Sequence, residues 1–73
     1  RSEKSNFTSA NLTRVNFKGS SLIEVNFKDS NLFEANFIGA NITNASFEGA
    51  NLNGATWIDG SKCKLGSIGK CIK

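Results

Sequence analysis

The chain has no histidine, tyrosine, methionine or proline, and just two cysteines and one tryptophan among its 73 residues. Without histidine there is no imidazole to act as general base beside a serine, nor the commonest metal ligand. Two cysteines fall short of the four ligands of a structural zinc site. No run approaches the roughly 18 apolar residues of a membrane helix, and no secretory leader is expected at the start. A chain opening on Arg1 reads as a processed form or as a piece of a longer one. These absences give the expectation of a non-enzyme with no cofactor, no metal site and no membrane insertion.

Seventy-three residues allow one domain. Ordering costs roughly 1.5 kcal/mol per residue, so a chain this short usually needs a covalent staple. A hydrophobic fraction of 38% is still enough to expect a folded chain. The net charge of +3 divides unevenly. Residues 5–59 carry −2, from Arg14, Lys18 and Lys28 against Glu24, Asp29, Glu34, Glu48 and Asp59. Residues 60–73 carry +4, from Lys62, Lys64, Lys70 and Lys73 with no acid. The basic character belongs to a tail, which reads as a solvated chain end, and no nucleic-acid partner is expected.

Residues 5–59 divide into eleven units of five: SNFTS, ANLTR, VNFKG, SSLIE, VNFKD, SNLFE, ANFIG, ANITN, ASFEG, ANLNG, ATWID. Each has a small residue or Val first and a large apolar residue third, and the second is Asn in eight. Neither a helix nor a simple strand has a period of five. A three-residue strand followed by a two-residue corner does, with the first and third side chains inward and the second facing water. The Asn array then reads as a polar wall that keeps the coil soluble. Gly19, Gly39, Gly49 and Gly54 fall at position five, where a corner benefits from permissive backbone.

The third positions form the expected core stack: Phe7, Leu12, Phe17, Leu22, Phe27, Leu32, Phe37, Ile42, Phe47, Leu52 and Trp57. Aromatic and aliphatic residues alternate, so an even number of sides stacks like on like, and two sides enclose no core. Four sides place Phe7, Phe27 and Phe47 in one column. They also set Arg14 beside Glu34 and Lys28 beside Glu48 as cross-strand pairs of modest worth.

The units ANLTR, ANFIG, ANITN and ANLNG resemble the A(D/N)LXX repeat of the pentapeptide-repeat family. The resemblance implies an all-β fold, a right-handed quadrilateral parallel β-helix of about 2.75 coils over residues 5–59. Residues 1–4 are then an N-terminal extension, and residues 60–73 a C-terminal cap. Leu65, Ile68 and Ile72 are expected to cover the last apolar layer. Cys63 and Cys71 are expected to close that lid as a disulfide stabilising by roughly 2–3 kcal/mol. A metal pair and a redox pair are the competing readings; two Cys without His, and the lack of C-x-x-C spacing, weigh against them. The ending W-x-D-G-x-x-C…G-S-x-G-x-C resembles some cyanobacterial and plastid members, which implies a thylakoid-lumen or periplasmic location, and a disulfide suits an oxidising compartment.

At the N-terminal mouth, Phe7, Leu12, Phe17 and Leu22 are expected to lie under little cover, so either residues precede them in the natural chain or the mouth meets a partner. At outward position four, Phe33, Ile38 and Ile58 break a polar pattern and form a candidate partner patch. The expected function is a structural or protein-interaction module, its partner unspecified, or self-association through the mouth or the patch. The alternative is a nucleic-acid mimic of the kind that binds gyrase. That alternative needs a long acidic rod, and a body of −2 fits it poorly.

Overall fold

The computed structural model describes residues 4–73, so residues 1–3 of the expected N-terminal extension lie outside the described residues. Each unit of five has five backbone N–H groups to satisfy. Residues 25–29 show how the coil does it. Asn26 N–H donates to the Ser5 carbonyl of the coil before (2.9 Å), and Phe27 N–H to Ser46 of the coil after (2.8 Å). Asp29 N–H donates forward to Glu48 (2.8 Å), while Val25 N–H closes the preceding corner on Leu22 (3.2 Å). The fifth N–H, on Lys28, donates to the side-chain Oδ1 of Asn26 (2.9 Å).

This last bond explains the Asn. In all eight units with Asn second, Oδ1 accepts the N–H two residues on, at 2.9 to 3.3 Å. That is an Asx-turn, in which a short amide imitates a backbone carbonyl. The expectation of a merely solubilising wall is therefore corrected: the Asn side chains hold the corners. Thr8, Thr13 and Thr43 add a hydroxyl bond to the same Oδ1 atoms.

Parallel bridges join Asn6 to Asn26 to Ser46, Asn11 to Asn31 to Asn51, Asn16 to Asn36 to Thr56, and Ser21 to Asn41. Every partner lies twenty residues away, so four units make one turn and the coil has four walls. The walls pair through these isolated bridges at position two, not through the three-residue strands expected, because corners on both sides bend the neighbouring residues out of line. At every position five from Ser9 to Gly54 the backbone is left-handed, with φ between 57° and 72°. Six of these residues are not glycine: Ser9, Arg14, Glu24, Asp29, Glu34 and Asn44. A positive φ at the third turn residue alone matches a type II turn. Lys4 already has this geometry (φ 61°) and donates its N–H to Ile23 (2.9 Å), so the corner pattern is present before Ser5.

Inside, Leu22, Phe27, Leu32, Phe37 and Leu52 are fully buried, as are Val25, Ala35, Ala50 and Ala55 at position one. Phe7, Leu12, Phe17, Ile42, Phe47 and Trp57 are partly buried at the two ends. Leu22 was expected near the open mouth, yet it has no exposed surface. Phe27 stacks on Phe7 and Phe47 with ring centroids 5.5 and 5.1 Å away and planes within 14°. Phe17 stacks on Phe37 at 5.6 Å, but Trp57 meets Phe37 edge-on and ends that column.

Candidate interaction surface and the cap

After Trp57 the chain turns back on itself. Trp57 N–H donates to Ser61 (2.7 Å), Cys63 N–H donates to Ala55 (2.8 Å), and Thr56 pairs antiparallel with Lys62. This is a hairpin with a three-residue loop, Ile58-Asp59-Gly60. Such loops place the last residue in the left-handed region, and Gly60 has φ 87°. The cap then runs antiparallel beside the wall of Asn11, Asn31 and Asn51, with Asn51 opposite Ile68. Leu52 N–H donates to Ser67 (2.7 Å), and Gly69 N–H to Ala50 (2.9 Å).

Two residues that the sequence reading passed over organise this segment. Asn53 Oδ1 accepts N–H bonds from both Gly66 (2.7 Å) and Ser67 (2.9 Å). Ser67 is fully buried; its hydroxyl donates to Lys64 O (2.5 Å) and accepts from Ile72 N–H (3.0 Å). A signal for the first was present, since Asn53 is the one Asn at position four of the eleven units. Cys63 and Cys71 form a disulfide, with Cα atoms 4.9 Å apart and Cys63 buried. The aliphatic cover expected from Leu65, Ile68 and Ile72 is not what closes the coil: they are 85%, 53% and 37% exposed. The buried groups are the Cys63 sulfur side and Ser67, because the bonds to Asn53 and Leu52 pull Ser67, and not its aliphatic neighbours, under the last coil.

The partner patch lies on two adjoining corners. Ile38 and Ile58 occupy the same position in successive coils, linked by Gly39 N–H donating to the Ile58 carbonyl (3.0 Å). They are 36% and 37% exposed. Phe33, at the preceding corner, is half-buried with its ring edge over Gly54. The neighbouring outward positions are Asn36 and Thr56, so the patch is a shallow apolar area beside a polar wall.

Two ion pairs join side chains of successive coils. Arg14 Nε lies 2.8 Å from Glu34 Oε1, and Lys4 Nζ 3.9 Å from Glu24. Lys28 and Glu48, expected as a second cross-strand pair, form no ion pair with each other; the pairs formed are Arg14 with Glu34 and Lys4 with Glu24. Asp59 instead binds Lys73 (2.8 Å) and accepts the Ser61 N–H (3.0 Å). The Lys73 bond first, then those from Ser61, hold its carboxyl well below the usual carboxylate range. Among the described residues no ligand-sized cavity opens, no three His, Cys, Asp or Glu side chains gather, and no helix is long and apolar enough to cross a membrane.

A four-walled parallel coil built from units of five, its core filled by its own side chains, defines a repeat solenoid. The sequence model for pentapeptide repeats matches in eight copies over residues 3–37 and 30–56, and the chain belongs to that family. Among solved structures it is similar to HetL, a pentapeptide repeat protein of the cyanobacterium Nostoc involved in regulating heterocyst differentiation. The TM-score is 0.61 at 29% identity over 82% of this chain, which spans about a third (33%) of that one. Together these make the fold a right-handed quadrilateral β-helix. Comparison with curated protein sequences gives no match.

Proposed function

We propose that the chain is a non-enzymatic protein-interaction module whose binding surface is Phe33, Ile38 and Ile58. Residues 5–59 supply about 2.75 coils of rigid support, and residues 60–73 a disulfide-closed cap. The observation that carries this reading is the alignment of Ile38 and Ile58 at one outward position in successive coils, more than a third exposed, where most such positions are polar. A contiguous exposed apolar patch marks an interaction site where singly scattered apolar residues do not. The charge layout favours this over nucleic-acid mimicry: Glu24, Glu34 and Asp59 are each engaged by a basic side chain, which leaves Asp29 and Glu48 as the acids of residues 5–59 outside these pairs. The disulfide supports residence in an oxidising compartment, the periplasm or thylakoid lumen.

The test is crosslinking in the protein's own compartment with the natural chain and with an Ile38→Lys, Ile58→Lys double variant. The reading expects recovery of specific partners to fall about tenfold or more in the variant, as a loss of 1.4 kcal/mol gives. Equal recovery by both chains overturns it.

A further inference from the structure

The cap that closes the coil also leaves an apolar and basic tip at one end. Leu65 is 85% exposed and Ile68 53%, with Ile72 beside them at 37%. The three gather about Gly66. Leu65 precedes it, Ile68 N–H donates to its carbonyl (2.8 Å), and Ile72 Cδ1 lies 3.8 Å from where a Gly66 Cβ would stand. They cannot turn inward, because Asn53 holds the Gly66 and Ser67 amides and the Cys63–Cys71 bond closes the loop. Lys62, Lys64 and Lys70 belong to the same segment, are exposed and, among the described residues, form no ion pair, whereas Lys73 is taken up by Asp59.

Charge and shape select the occupant. At the N-terminal coil of a second copy Lys4 and Arg14 are held by Glu24 and Glu34, which leaves Lys18 as the exposed base outside an ion pair and, among the described residues, no free carboxylate to meet Lys62, Lys64 and Lys70. A folded partner would need a groove to receive a projecting Leu65, or a flat face to match three aliphatics at a turn. A lipid surface needs neither: it accepts a projecting apolar tip of any shape, and its anionic headgroups complement the exposed lysines of the cap. We propose that the cap tip docks this solenoid end-on to an anionic lipid surface. Leu65, Ile68 and Ile72 enter the boundary between headgroups and acyl chains, and Lys62, Lys64 and Lys70 pair with the headgroups. The contact is peripheral and uses residues separate from the Phe33, Ile38 and Ile58 surface.

Flotation of the intact, disulfide-bonded chain with vesicles tests it. Vesicles of phosphatidylglycerol and phosphatidylcholine in equal parts should carry the protein up, and phosphatidylcholine alone should not. Raising salt to about 1 M, where the screening length falls to about 3 Å, should release it. Leu65→Ser should weaken binding about tenfold, the worth of burying one Leu side chain. Replacing Lys62, Lys64 and Lys70 together with Gln should weaken it at least as much, while Lys18→Gln, at the opposite end of the coil, leaves it unchanged. Because Leu65 projects into solvent, its Ser variant should keep the natural melting curve, so lost binding is not lost folding. Equal flotation with neutral and anionic vesicles, or an unaltered Leu65→Ser variant, overturns the proposal. Tighter binding to a soluble Glu- and Leu-rich peptide than to the vesicles overturns it in favour of an acidic polypeptide.

Discussion

Asn36 shows what a single residue contributes here. Its Oδ1 accepts the Ile38 N–H at 3.0 Å, the one backbone donor of that unit that no carbonyl reaches. Asn36→Ala should cost about 1 kcal/mol in urea unfolding, whereas Asn36→Asp, which keeps the acceptor, should cost much less. Phe27 has no exposed surface and touches Phe7, Phe17, Phe37 and Phe47. Phe27→Ala should destabilise by roughly 3–5 kcal/mol, read from the same experiment. The inward place of Phe27 is legible in the sequence because size and period appear directly as letters. The role of Asn36 is not. A small amide between two buried positions reads as a solvent-facing residue until the backbone donors of the corner are counted. Arg14 and Glu34 at positive φ are hidden for a related reason: the glycines at position five advertise the corner, and the charged residues that adopt it do not.

At the scale of elements, the coil and the cap differ in how much the sequence reveals. The walls repeat, so each unit restates the geometry of the last. The cap does not repeat, and Leu65, Ile68 and Ile72 look like cover until Ser67 is seen in the buried place. Hydrogen bonding decides that exchange: Asn53 and Leu52 fix the Ser67 backbone, and the aliphatic neighbours on either side are turned outward. Reduction of Cys63–Cys71 should lower unfolding free energy by about 2–3 kcal/mol, measured with and without reductant. The Asp59–Lys73 contact adds an acid-side dependence. The folded carboxyl titrates below its unfolded value near 4, so its contribution is present above about pH 4 and is lost as pH falls below it. Asp59→Asn should flatten that part of a stability profile; a profile of unchanged slope would detach Asp59 from it.

For the whole molecule, one end and one side carry distinct chemistry on a support of 27 × 23 × 19 Å. Phe33, Ile38 and Ile58 offer a side, and the lysine-rich cap offers an end. Net charge alone conceals this division, since +3 averages a mildly acidic body with a basic tail. Phe33→Lys should weaken partner binding with little change in melting temperature, because its ring lies at a corner over Gly54 and outside the core. A large fall in melting temperature would instead make Phe33 a structural residue. All of these assignments depend on one register, in which each wall residue meets its counterpart twenty positions on. Through-space NMR contacts between backbone protons test that register most directly. The four-walled coil predicts contacts of Asn26 with Asn6 and Ser46, and of Asn31 with Asn11 and Asn51. Contacts of Asn26 with Asn11 and Asn41 in their place, the spacing of a three-walled coil, would contradict it.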